Sequence, residues 1–221
     1  MSAAPASRRT QVERSASTRE AIVAAATKVI ADRGFANAGI DEIARAAGVS
    51  KGALYHHYPD KVDVLAAVYE DVEIRLAERI ADVASRVSDP FDALRAGAHA
   101  FLDACLDPTI RRLALVEAPV GLGWERWREI DARHGLGLLL IGLQAAADAG
   151  EIDGDHLTER AHILLAALIE ASLLLGHSDD PKRARASAGA VVDGLLDSLR
   201  RPPDGKARGR APRVSRRRVA N

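Results

Sequence analysis

Three groups of residues in this 221-residue chain have types and spacings that could do chemistry. The first is a polar cluster, Ser50, Lys51, Tyr55, His56 and His57, followed by Lys61. Its hydroxyl, ammonium and imidazole groups suit phosphate oxygens and the edges of nucleic-acid bases. The second is a pair of carboxylate-x-x-His spacings, Asp131/His134 and Glu159/His162, which tempt a di-metal reading. The third consists of large or soft side chains at helical spacing: Phe101 with Cys105, and Trp124 with Trp127. These could line a small-molecule cavity or simply fill a core. There is no nucleophile beside a base and no phosphate-binding glycine loop, so an enzyme is not expected.

The elements that must carry these groups are helices. Apolar residues recur at three and four, Ala, Leu and Arg dominate, and aromatics make up 4% of the chain. A helix is expected from near Ser17 or Thr18, carrying Ile22, Ala25, Ala26, Val29 and Ile30 and stopped by Gly34. Short helices follow on Ile40–Ala47 and from Ser50 to His57, then a long one from Lys61 to about Val87, capped by Asp60. Further helices are expected near 90–106, 109–118, 124–149, 155–177 and 181–200, and no segment reads as a strand.

This layout disposes of the metal reading. If 124–149 and 155–177 form a hairpin turning near 152, the two acid-histidine pairs lie about eight residues, or ~12 Å, apart along the axis. The adjacent His56 and His57 diverge by ~100° and cannot share one ion either. No metal and no cofactor are expected. The same register puts His134 opposite Glu170, a candidate buried polar contact for a ligand.

Around the first cluster the run Ile40 to Tyr55 fits two short helices crossing at a tight turn. Ala44 permits close approach, Gly48 suits a left-handed turn, and Val49 and Leu54 plug the space between. The pattern Ile-Ala-x-x-Ala-Gly-Val-Ser-x-Gly-x-Leu-Tyr-x-His-Tyr-x-x-Lys, from Ile43 to Lys61, resembles the signature of TetR/AcrR transcriptional regulators over roughly residues 15–70. The resemblance implies an all-α protein. A three-helix helix-turn-helix domain (15–75, with the motif at about 40–58) would precede a helical ligand-sensing and dimerisation domain (76–200). It also implies DNA contacts at Ser50, Lys51, Gly52, Ala53, Tyr55, His56, His57 and Lys61. By chemistry, Ser50, Tyr55, His57 and Lys61 suit phosphates, and Lys51, Ala53 and His56 suit base edges. Where the family has Ser or Thr opening its second helix this chain has Gly39, so no DNA contact is expected there.

The charge distribution agrees. Residues 1–61 hold nine Lys/Arg against six Asp/Glu, 62–200 hold 14 against 24, and 201–221 hold eight against one. A basic head and tail flanking an acidic body suit a protein that grips a polyanion at one end. The stretch 1–14 reads as a flexible arm and 201–221 as a disordered tail. One cysteine, no apolar run long enough to span a membrane and no leader pattern make a soluble, cytoplasmic protein the expectation.

The resemblance implies a homodimer paired through the last two helices, whose apolar stripes offer Leu164, Leu168 and Leu175, and Val191, Val192, Leu195 and Leu199. Its partners would be a pseudo-palindromic double-stranded operator and a small, largely apolar effector. The effector would be held among Phe101, Cys105, Trp124, Trp127, His134 and Glu170. An all-helical enzyme and an architectural DNA-binding protein are the rivals. The first lacks catalytic groups, and the second leaves about 140 acidic helical residues unexplained.

Overall fold

The computed structural model describes residues 11–201, so residues 1–10 of the expected arm and 202–221 of the expected tail lie outside the described residues, whereas 11–14, expected in the arm, are helical. The described chain is all-helical. In order it comprises α1 (Gln11–Arg33), α2 (Ile40–Ala46), α3 (Lys51–His57), α4 (Lys61–Ala84), α5 (Pro90–Ala104) and α6 (Pro108–Arg112). A π-helical turn (Leu113–Glu117) leads into α7 (Ala118–Leu122), α8 (Trp124–Arg133), α9 (Gly135–Asp148), α10 (Leu157–Leu175) and α11 (Pro181–Asp197). The single β-bridge among the described residues, Ile152 with Arg200, pins the end of the body.

Helix starts follow local chemistry. Asp60, Asp89, Asp107 and Asp180 each accept a backbone N–H from the first turn of the helix they precede, and Pro occupies the first turn after three of them. Two sequence expectations need correction. First, α1 is already helical at Gln11, the first described residue, and not only from near Ser17: no Gly or Pro interrupts 11–18, and Thr18 turns its hydroxyl back onto the Arg14 carbonyl at 2.8 Å instead of capping. Second, the expected helix 124–149 is two helices. The chain breaks at His134 (φ −119°, ψ −85°), and Gly135 and Gly137 follow immediately.

Two apolar cores result. One gathers Ile22, Ile30, Ile43, Leu54, Leu65 and Val68 from α1–α4, and also takes in Leu113, Ala118, Trp127 and Ile130 from the π turn, α7 and α8. The other gathers Phe91, Leu102, Leu143, Leu165, Val192 and Leu196. The long helix α4 serves both, with Val64 to Val72 in the first core and Leu76 in the second. Each fully buried Leu or Ile contributes roughly 1.5–3 kcal/mol of burial free energy, so α4 is held along most of its length.

Candidate functional site

The candidate nucleic-acid-facing surface is built from α2, α3 and the turn between them. Gly48 adopts φ +68°, a left-handed conformation that any side chain would strain, and this sets α3 across α2. Ser50 caps α3 by accepting the Ala53 N–H at 3.1 Å, leaving its own hydroxyl proton free to donate. Leu54 is fully buried and anchors α3 to the core. The opposite face presents Lys51, Gly52, Tyr55 and His56 to solvent, with Ala53 and His57 half-buried beside them. A Cβ on Gly52 would meet only Ser50 Oγ, at 4.0 Å, so the backbone is open to close approach.

Two of the cations are already engaged. Lys51 pairs with Asp41 at 2.8 Å, a hydrogen bond that raises the lysine pKa and fixes the side chain along the α2–α3 groove. Lys61 donates to the Ala36 carbonyl at 3.1 Å and lies 4.6 Å over the Phe35 ring. Burial, with His56 and Arg19 nearby, lowers the His57 pKa. Gly39 precedes α2 without a side-chain cap.

The second feature is a partly open apolar cavity of about 330 Å³ lined by α4, α5, α8, α9 and α10. Leu76, Ile80, Leu94, Ala98, Phe101 and Leu168 are among its walls. Its polar end is made by Tyr69, Glu73 and Asp131. Glu73 and Asp131 are only 5% and 4% exposed. Burial, reinforced by the Asp131 charge, pushes the Glu73 carboxyl up to about 8, although it accepts hydrogen bonds from the Tyr69 hydroxyl and the Gly135 backbone. Asp131 is raised too, by burial, against the pull of Arg128 at 2.8 Å.

Of the six residues proposed from sequence as ligand contacts, the structure brings Phe101 and Trp127 to the cavity. The other four lie elsewhere. Trp124 is 67% exposed and packs its ring on Trp127, with the Arg128 guanidinium over both, 4.6 Å from the Trp124 ring. Cys105 caps the end of α5, one turn beyond Phe101, where burial raises its thiol to about 11. His134 sits at the α8–α9 break with Nε2 3.6 Å from Glu70, on α4. Glu170 is exposed, so the anticipated His134–Glu170 contact does not form. The failed register assumed an unbroken helix through 134.

The decisive polar residue, Glu73, was missed, although a signal for it existed. Leu65, Tyr69, Glu73, Leu76 and Ile80 recur at spacings of four and three, and Glu73 is the lone acid in that apolar stripe.

Residues 22–68 match the family described as bacterial regulatory proteins, tetR family, and residues 91–199 match the tetracyclin repressor-like C-terminal domain. Together these matches take in both cores. The chain belongs to the TetR family of transcriptional regulators. CymR of Pseudomonas putida is 42% identical over 72 residues, which are 33% of this chain and 36% of CymR. The activator FasR of Mycolicibacterium smegmatis is 38% identical over 85 residues, 38% of this chain and 39% of FasR. The chain thus matches little more than a third of the length of these relatives. A TetR-family regulator from Pectobacterium atrosepticum superposes with a TM-score of 0.72 at 27% identity, over 88% of this chain and all of that one. The relatives are regulators, not enzymes, and among the described residues no helix is long and apolar enough to cross a membrane.

In this TetR-family chain the reading head and the body are tied by a specific set of contacts. Arg112 donates to the Ala31 carbonyl at 2.6 Å and to Glu117 at 3.1 Å, and Glu117 accepts the Phe35 backbone N–H at 2.9 Å. Arg126 reaches Asp63 at 2.7 Å. Gly121 packs so tightly that a Cβ there would collide with Leu65 and Phe35. Neither Arg112 nor Glu117 was anticipated, since nothing local marks an ion pair that clamps a helix end 80 residues away.

The last two helices divide the residues expected at a dimer interface. Leu164, Leu168, Leu175 and Val192 are buried in the chain's own core, and Leu199 packs against it half-buried. Val191 is 65% exposed and Leu195 41%. They share the outer surface with Ile163 and Leu174, exposed on α10 at 70% and 61%. These four are the large apolar side chains that α10 and α11 leave exposed.

Proposed function

We propose that this chain is a homodimeric, cytoplasmic, ligand-responsive DNA-binding regulator, a repressor released from a pseudo-palindromic operator by a small, largely apolar molecule. One observation carries the reading: α4 is a single unbroken helix that packs the reading head at one end and walls the apolar cavity at the other. Tyr69 belongs to both, since it is buried in the head's core and lines the cavity. A ligand that favours a different tilt of α4 therefore changes the setting of the reading helix, and operator and ligand oppose each other by linkage.

Recognition rests on Lys51, Ala53 and His56 facing base edges from the major groove, with the Gly52 backbone packed close to the DNA and Ser50, Tyr55, His57 and Lys61 on phosphates. Lys51 would exchange Asp41 for the DNA, and the Ser50 hydroxyl can donate while its oxygen still caps α3. Two-fold pairing across Ile163, Leu174, Val191 and Leu195 would present two such helices to two half-sites. Gly194 lies in the same face, and a Cβ there would meet open space within the protomer, as close helix approach across a dyad requires. The sign of regulation depends on where the operator lies. The relatives carry both signs by name, BepR of Brucella suis as a repressor and FasR as an activator.

The test is selection of bound fragments from the source genome, followed by electrophoretic titration of the enriched site. A symmetric site bound by two protomers is expected, overlapping a promoter. A bound site lying upstream of the promoter and raising transcription would reverse the sign, and a failure to enrich any sequence would overturn the DNA reading itself.

A further inference from the structure

At the polar end of the cavity the charges do not balance. Arg128 is committed to Asp131 at 2.8 Å and lies over the rings of both Trp124 and Trp127. Among the described residues Glu73 makes no ion pair. Its partners are two neutral donors, the Tyr69 hydroxyl and the Gly135 backbone N–H. The two carboxylates are close, because a Cβ on Gly135 would meet Asp131 Oδ1 at 3.1 Å and Glu73 Oε2 at 3.3 Å. With both acids ionised the trio carries one net negative charge inside an apolar wall, an arrangement that is costly unless a cation arrives.

We propose that the cavity takes a small organic monocation, an amine on an apolar body, whose ammonium pairs with Glu73. The proposal rests on the reading of this cavity as the effector site. An ammonium brings the buried charge to zero and donates to the free lone pairs of Glu73. A neutral alcohol leaves Glu73 protonated and gains only an ordinary hydrogen bond. A carboxylate ligand would add a third acid to the site. The walls contributed by Leu94, Ala98 and Phe101 accept a hydrocarbon body, and about 330 Å³ is room enough for a molecule the size of a phenylalkylamine.

Binding has a proton balance. Below about pH 8 the free protein holds Glu73 protonated, so an incoming ammonium releases that proton to solvent and the amine's affinity rises with pH up to this value. The groups facing Glu73 are Tyr69 on its own helix, Asp131 and Arg128 on α8, the Gly135 N–H on α9 and the Cys105 thiol at the end of α5. Burial raises the Tyr69 phenol and the Cys105 thiol, so both stay neutral across this range. His134 and His162 act on Asp131 and not on Glu73.

The experiment is calorimetric titration of the full chain with 4-phenylbutylamine, 4-phenylbutanol and 4-phenylbutyrate, which share one body and differ in headgroup. The amine is expected to bind about tenfold or more tightly than the alcohol at pH 8, with the carboxylate weakest. Its advantage should shrink towards pH 6. Glu73→Gln should bring amine and alcohol to within about threefold, and Ala77→Trp, which fills the cavity beside α4, should remove binding of all three. An alcohol that equals or beats the amine overturns the cation and leaves the cavity reading standing. Failure of all three ligands overturns both, and amine binding that survives Ala77→Trp places the amine elsewhere and overturns the assignment. The headgroup series on the unaltered protein needs no variant, so a Glu73→Gln chain that fails to fold does not protect the proposal.

Discussion

The reading head and the body use polar groups in opposite ways. The head exposes them, with Lys51, Tyr55 and His56 standing on a helix whose single buried side chain, Leu54, does the anchoring. The body hides them, sealing Glu73 and Asp131 at the end of an apolar cavity. A surface site costs little stability and can be varied residue by residue. An interior site is held at the expense of stability, which a matching ligand restores, and a sensor can exploit that difference. The contrast predicts that substitutions in the head alter binding without altering folding, whereas substitutions in the cavity alter folding first.

The largest effect should come from the head. Lys51→Ala with Tyr55→Ala removes two exposed side chains, each worth about 1–3 kcal/mol if it reads a base or fixes a phosphate, so operator affinity should fall by at least about thirtyfold. The melting temperature should stay within a degree or two, because the Lys51–Asp41 pair is exposed and contributes little. Electrophoretic titration and a thermal melt on the same sample decide this. Retained operator selection would displace the reading surface from α3, and a collapse in stability would erase the contrast between the regions.

The outer face of the body should come next. Val191→Arg with Leu195→Arg places two charges on residues already exposed in the protomer, so the fold should survive while a dimer paired there loses several kcal/mol. Leu168→Arg, one helix away but buried, should instead unfold the chain. Sedimentation of the double variant as an unchanged dimer would move the interface off α10 and α11.

The same contrast explains what was legible in the sequence. The head is specified locally: Gly48 must turn, Ser50 must cap, Leu54 must be buried, and these sit close enough together that spacing alone fixes which residues face outward. In the body, the helices were legible but the faces were not. Leu164 and Ile163 are adjacent and equally apolar, and only the packing of α5, α9 and α11 against α10 decides that the first is core and the second surface. The break at His134 was signalled by Gly135 and Gly137 but overridden by the apolar run around them, and that one slip misplaced both His134 and Glu170. Glu73 was visible only as an exception to the pattern, an acid where a leucine would fit.

A third prediction follows from that exception. The Glu73 carboxyl, ordinarily near 4.5, is held at about 8 in the folded protein. Between these values the folded chain keeps a proton that the unfolded chain gives up, so this group's contribution is fully present below about pH 4.5 and is lost as pH rises to about 8. Glu73→Gln has no proton to lose. Its apo form should be more stable than the parent at pH 9, by on the order of a few kcal/mol, with the two curves converging towards pH 5. Thermal melts across that range check it, and parallel curves would mean that Glu73 has found a counter-charge in solution.

The smallest effect should come from the joint between the two regions, and it tests whether they communicate at all. Glu117 accepts the Phe35 N–H just after α1 ends and pairs with Arg112, which itself holds the Ala31 carbonyl. Leu115, two residues before Glu117 on the same π turn, lines the cavity, so one short segment touches the ligand space at one side and the head at the other. Glu117→Gln keeps the acceptor for Phe35 and removes the charge that fixes Arg112. Folding should therefore change by no more than about 1–2 kcal/mol. If the turn transmits the ligand's effect, the operator affinity of the apo protein should stay near the parent's while the loss on adding ligand shrinks several-fold, equivalent to about 1 kcal/mol of coupling. A purely structural clamp would behave differently, weakening operator binding equally with and without ligand. Measuring operator affinity in both states for parent and variant separates these outcomes. An undiminished ligand effect would take the Arg112–Glu117 clamp out of the route between cavity and head and leave it to α4.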